Sequence, residues 1–193
     1  MNRIDSIIHD IRRAISEVAE DFYSETKDLV KFLDVADEHT YSSVIDSFYL
    51  LEDTQLAKHE FENTDFINES FGRLYLMFHG VLNSCYMQQQ ALLVICQKLG
   101  IDQNIKEIKE IEVVAYRNDF SAHSPNRGRG KSEHSYILDR HAMREAKVKG
   151  YTANHETGFI FREANIYSLI SSWDIVLERQ LQLVAERVLN SKT

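Results

Sequence analysis

The segment Tyr116-Arg117-Asn118-Asp119-Phe120-Ser121-Ala122-His123-Ser124-Pro125 gathers a guanidinium, an amide and an imidazole in one short stretch. A guanidinium clamps phosphate oxygens through paired N–H donors and offsets the extra charge of a pentavalent phosphorus. An imidazole, with an ordinary pKa of about 6.5, moves protons at neutral pH. Together they form a kit for phosphodiester chemistry, and the end of a helix running into a loop is a place where such side chains stay accessible on a firm support.

The step from Arg117 to His123 turns about 600° along an ideal helix, which leaves the two side chains about 120° apart in azimuth and about 9 Å apart in rise. They do not converge on one straight helix. Either the helix ends before His123 and the chain folds back, or a second copy of the segment meets the first across a two-fold axis. The same two cations would also complement the negative end of a helix dipole.

Arg117-Asn118 followed, after four more residues, by His123 resembles the R-x(4 to 6)-H signature of the HEPN superfamily, with Asn118 in the polar position that follows the arginine. The order of a long helix containing Leu82-Asn83-Ser84-Cys85-Tyr86-Met87-Gln88-Gln89-Gln90, then a shorter helix ending in the motif, is similar to prokaryotic members. The likeness covers residues 66–125, under a third of the chain. It implies an all-α bundle that pairs as a homodimer and acts on RNA as a metal-independent endoribonuclease, with no cofactor. Arg117 and His123 of both protomers would line one cleft, and Asn118 would orient the ring or the phosphate. The 2′-hydroxyl would attack its own adjacent phosphate and leave a cyclic phosphate end. A toxin, antiviral or RNA-processing role fits, with an antitoxin or a nucleotidyltransferase as a partner. Some members of the superfamily only bind nucleotides, RNA or proteins, which is the alternative. Asp119 is an extra carboxylate that would either buttress Arg117 or weaken RNA binding.

Charge is distributed in a way that suits phosphate. Residues 117–149 hold eight Lys or Arg against four acids, a net of +4 on a chain of net -8. Within that stretch Arg127, Arg129 and Lys131 are expected to contact substrate phosphates, a solvated loop being the plainer alternative. Pro125-Asn126-Arg127-Gly128-Arg129-Gly130-Lys131-Ser132 ends like a phosphate-cradling loop, but Pro stands where the first Gly belongs and no buried strand precedes it.

Metal chemistry has less to build on. There is no HExxH and no paired CxxC, and Asp34, Asp37, Glu38 and His39 read more simply as a solvated helix end. His79, between Phe78 and Gly80, reads as a packed or partly exposed helix residue. Gln88, Gln89 and Gln90 would face solvent or a partner helix. Asn83 could hydrogen-bond near the motif, a point that spacing leaves open. Cys85 and Cys96, about 16 Å apart if they share a helix, are too far apart to bridge and fit inert core thiols in a reducing cytoplasm.

Hydrophobic periodicity supplies the elements that hold the motif. Ile4, Ile7, Ile8, Ile11, Ile15, Val18, Ala19 and Phe22 form a helical stripe. Leu29 to Leu33 extend or follow it, and Val44 to Leu56 form a further stretch. Ile67, Phe71, Leu74, Tyr75, Phe78, Val81, Leu82, Cys85, Leu92, Leu93, Cys96 and Leu99 hold one stripe over more than 30 residues, with Thr64 or Asp65 as N-cap and Gly100 as the stop. Ile101 to Ala115 predict one more helix, antiparallel to that spine because the connection is short. The period fails at residues 124–135, which hold the only Pro. Tyr136-Ile137-Leu138, residues 147–152 and Gly158-Phe159-Ile160-Phe161 are short enough for strands, with a turn near Asn154 to Gly158. Ile166 to Val188 restore the helical period.

The expected architecture is therefore an all-α antiparallel bundle in one domain, residues 1–193, with a long loop or small hairpin inserted at about 124–162. A chain of 193 residues that is 44% hydrophobic and 27% charged, with one Pro, is long enough to bury a core and is neither collagen-like nor disordered. The acidic balance argues against a generally basic nucleic-acid binder or a membrane-surface protein. Charges recurring after Met1 leave neither a signal-peptide core nor a membrane span, so a cytoplasmic protein is expected.

Overall fold

The computed structural model describes residues 3–21, 26–121, 136–154 and 158–190. The chain is mostly helical with a small antiparallel sheet. It packs as two compact units, Met1–Gln55 with Met87–Lys109 and Asp174–Thr193, and Leu56–Tyr86 with Glu110–Trp173.

The first unit contains α1 (Arg3–Asp21), α2 (Thr26–Leu33), most of α3 (Glu38–Glu62), the second part of α4 (Phe71–Lys98), α5 (Ile105–Lys109) and the second part of α8 (Ile166–Leu189). The stripe on α1 is buried where the spacing places it, at Ile4, Ile8, Ile11 and Ile15, and meets a core that includes Val44, Phe48, Leu51, Leu92, Ile95, Leu177, Leu181 and Val184. Each such side chain withdrawn from water contributes about 1.5–3 kcal/mol. Two buried amides in this core are paired, Gln88 Nε2 donating to Gln55 Oε1 at 2.7 Å and Gln55 Nε2 to Asp5 Oδ1 at 3.3 Å, whereas the buried Gln180 amide has no hydrogen-bond partner among the described residues. Cys85 and Cys96 are both buried free thiols on α4, and burial pushes Cys96 up to about 11, which keeps it protonated and inert.

Gly100 stops α4 as its sequence position predicts. Its φ of 69° suits the left-handed conformation at C′, and Ile101 N donates to Cys96 O at 2.8 Å, the long bond of a Schellman turn. The single helix expected over 101–115 is broken. Ile111 takes an extended backbone (φ -61°, ψ 132°), and α5 ends before it. Gln89, buried on α4, donates to the carbonyls of Ile108 at 2.7 Å and Lys109 at 3.4 Å, so its amide satisfies the helix end that the break exposes.

The second unit takes the end of α3, the start of α4 and of α8, and α6 (Glu112–Phe120), β1 (Ile137–Leu138), α7 (Arg140–Met143), β2 (Lys147–Asn154) and β3 (Gly158–Asn165). The spine helix begins later than the stripe implies. Thr64 Oγ1 donates back to Glu60 O, and Asp65 accepts from Ile67 N and Asn68 Nδ2, which closes a local turn in place of a helix start. Ser70 Oγ, accepting from Arg73 N, is the N-cap of α4, and Ile67 is left exposed. Phe61, Phe66 and Phe78 meet at centroid distances of 5.1 to 5.5 Å and form the aromatic heart of this unit.

Of the insertion expected at about 124–162, the described residues form three antiparallel strands, whereas residues 124–135 and, from the turn expected near Asn154 to Gly158, residues 155–157 lie outside the described residues. The sheet has the order β1-β2-β3, antiparallel throughout, with Ile137 opposite Tyr151 and Tyr151 opposite Phe161. Asp139 caps the single turn of α7 by accepting from His141 N at 2.9 Å and Ala142 N at 3.4 Å. Val148, Gly150 and Thr152 form the buried face. A side chain at Gly150 would collide with the Ile137 carbonyl and the Phe120 ring, so glycine here is what lets α6 lie against the sheet.

Candidate functional site

Two sides of α6 do different work. Tyr116, Asp119 and Phe120 turn toward the sheet. Tyr116 Oη donates to Glu163 O at 2.9 Å, Arg162 lies 4.5 Å over the Tyr116 ring and forms an ion pair with Asp119, and Phe120 packs against Tyr136 at 5.2 Å. Burial pushes the Tyr116 phenol up, the Arg162 guanidinium opposing it in part, which keeps the hydroxyl a donor. These contacts fix the helix without using its next residue.

Arg117 turns instead to α4. Its Nε donates to Asn83 Oδ1 at 2.9 Å, its Nη1 donates to Asn118 Oδ1 at 3.1 Å, and its Cζ lies 4.2 Å from the centroid of Tyr86. Asn83 is itself held, since its Nδ2 donates to His79 O at 2.9 Å one turn earlier. The guanidinium is thus aimed by two amide oxygens and an aromatic face, all neutral. Among the described residues no carboxylate pairs with it, and the remaining N–H donors of its fork are unspent. A half-buried cation that is oriented but not neutralised is chemically able to hold an anion. Arg117 also lies in the last turn of α6, where its charge complements the helix dipole.

Asn118 lies on the guanidinium. Asp119 does not buttress Arg117 and is compensated by Arg162. His123, Arg127, Arg129 and Lys131 lie outside the described residues. Farther along, Arg144 is spent on structure: its guanidinium donates to the carbonyls of Ile67 and Glu69 and covers the Phe71 ring at 4.6 Å. Lys147 bonds Glu145 at 2.7 Å, and Lys149 lies 3.2 Å from Glu163.

The sequence leaves Asn83 unplaced, gives Tyr86 no role beyond its place in the long helix, and does not point to Arg162. A signal existed for the first two, because His79, Asn83 and Tyr86 recur at four and three residues and so share one face of α4. His79 completes that face. Its ring lies 4.1 Å from Tyr75, and burial holds its imidazole below the ordinary 6.5.

No group of metal-ligating side chains occurs among the described residues. In the acidic stretch before α3, Asp37 Oδ1 accepts from Thr40 N at 2.7 Å, and that backbone bond holds its carboxyl below the usual value. Asp34 pairs with Arg187 at 3.0 Å. Among the described residues no helix is long and apolar enough to cross a membrane. Comparison of the chain with protein-family models, with curated proteins and with solved structures finds no match.

Proposed function

We propose that the protein is an HEPN-like metal-independent endoribonuclease whose site is built around Arg117. The observation that carries the reading is the grip on this guanidinium by Asn83, Asn118 and Tyr86 with its charge left unpaired. In the proposed reaction the 2′-hydroxyl oxygen bonds to its adjacent phosphorus, the bond from phosphorus to the 5′-oxygen breaks, and the leaving oxygen takes up a proton. His123 serves one of the two proton transfers, Arg117 holds the non-bridging oxygens as charge accumulates, and the products are a 2′,3′-cyclic phosphate and a 5′-hydroxyl. Two protomers share the cleft, Arg127, Arg129 and Lys131 hold flanking phosphates, and an antitoxin or nucleotidyltransferase is the kind of partner such a protein has. Pairing of Asp119 with Arg162 supports the reading, because it removes a carboxylate that would otherwise repel the substrate.

A non-catalytic module that binds a nucleotide, RNA or a protein in the same groove is the second reading. It is favoured by the Arg117 geometry taken alone, since a fixed cation binds an anion without any proton carrier. Incubating the purified protein with RNA in excess EDTA separates the two. Cleavage by wild type that is lost in both Arg117→Ala and His123→Ala is the result expected of the nuclease. Binding that weakens in Arg117→Ala, with no cleavage by any variant, is the result expected of the module, and equal cleavage by all three would point to a contaminant and exclude the nuclease.

A further inference from the structure

The outer face of the sheet breaks the usual rule that an exposed strand face is polar. Ile137, Tyr151 and Phe161 lie directly opposite one another across the strands, and Phe159 stands two residues from Phe161 on the same face. They are 60%, 40%, 69% and 63% exposed respectively. The three rings form a triangle with centroid separations of 5.7, 6.1 and 6.4 Å. Tyr151 and Phe161 also wall a cavity of about 300 Å³, with Ile137, Arg140, His141 and Lys149 among its other lining residues. That volume is at the small end for ligand sites and suits one planar ring system.

The charged residues lining this cavity are Asp139, Arg140 and Lys149. Arg140 and His141 are exposed, and Lys149 stands beside them. Lys149 pairs with Glu163 and Lys147 with Glu145 and Glu163, which leaves Arg140 as the cation of the lining with no ion pair among the described residues. Asp139, the acid in the lining, has Oδ1 committed to the start of α7. Exposed rings at roughly 6 Å intervals beside the unpaired guanidinium of Arg140 complement a ligand with stackable faces and a negative charge between them.

We infer that the Tyr151, Phe159 and Phe161 face of the sheet binds single-stranded RNA, with one base seated in the cavity beside Arg140 and neighbouring bases stacked on the open rings. The choice of RNA over DNA rests on the proposed function, whereas the stacking does not. Duplexes, whose bases are already stacked on one another, have no use for this face.

The test is fluorescence anisotropy with a labelled single-stranded RNA of mixed sequence, the same sequence as a duplex, and its DNA counterpart, in EDTA. Because the rings are exposed, Phe161→Leu and Phe159→Leu keep apolar bulk and fold while losing the flat π-face. Each is expected to weaken single-strand binding about tenfold and to leave the duplex unaffected. Unchanged binding in both Leu variants, or duplex bound as tightly as single strand, would overturn the inference. A wild-type dimer that dissociates in Phe161→Ala but persists in Phe161→Leu, with RNA binding equal in all three, would make the face a self-association surface and overturn it too. Weakened binding without cleavage by wild type would retain the stacking face and remove the nuclease. Cleavage lost in Arg117→Ala, with Leu variants that bind normally, would do the reverse.

Discussion

At the scale of single residues, the account turns on whether the Arg117 charge is available. Asn83 is the residue that tests this, because its amide oxygen aims the guanidinium without discharging it. Asn83→Asp keeps an acceptor in the same place and adds a negative charge. The ion pair gained with Arg117 and the donor lost to His79 O oppose one another, so stability should stay within about 1 kcal/mol of wild type, while RNA affinity should fall about tenfold as the cation is neutralised internally. A stability curve beside a binding isotherm checks both halves, and undiminished binding would mean that Arg117 meets no phosphate. His79, on the same face of α4, offers a pH test. Burial makes its imidazole harder to protonate in the folded chain than in the unfolded one. Its contribution is therefore intact above about pH 6.5 and is lost as the pH falls below that, because the unfolded chain takes the proton first. Urea midpoints measured between about pH 8 and pH 5 should decline toward acid, and less steeply in His79→Gln.

At the scale of elements, the claim is that the sheet and α6 are one support, with Gly150 as the point of closest approach. Gly150→Ala should cost about 1–3 kcal/mol of stability, since the Ile137 carbonyl and the Phe120 ring both have to give way. A thermal unfolding series measures it, and a neutral effect would mean that the helix does not bear on the sheet there. Sequence reading reached the helices through periodicity, which survives because each buries one stripe: the Ile4 to Ile15 row and the Gly100 stop are where spacing puts them. It failed where a side chain outcompeted the period. Asp65 binding Ile67 N delayed the start of α4, and the Gln89 amide, reaching the carbonyls of Ile108 and Lys109, made a break tolerable that no local pattern announced. The hairpin was legible from its Gly and aromatic content, but its outward-facing rings were not, because alternation alone does not say which face is inner. For the site, Arg117 and Asn118 were legible as residue types. The neighbours that orient them come from α4, more than 30 positions away, as with Asn83.

At the scale of the whole molecule, charge sets how RNA would be met. The chain is acidic overall, with net +4 confined to residues 117–149. Association should therefore be local and salt-dependent, with acidic surface elsewhere repelling non-specific nucleic acid. Raising the salt from about 50 to about 200 mM should weaken RNA binding at least several-fold, and a flat response would place the contacts off the phosphates. Pairing of two chains, which would bring both copies of Arg117 and His123 to one cleft, is expected to appear as twice the monomer mass in light scattering. The most direct test of the central claim is the chemistry of the ends produced when RNA is incubated with the protein in excess EDTA, read by mass spectrometry. The account predicts 2′,3′-cyclic phosphate and 5′-hydroxyl ends with wild type and neither with Arg117→Ala. Ends bearing a 5′-phosphate, or cyclic ends formed equally by the Arg117→Ala protein, would contradict it.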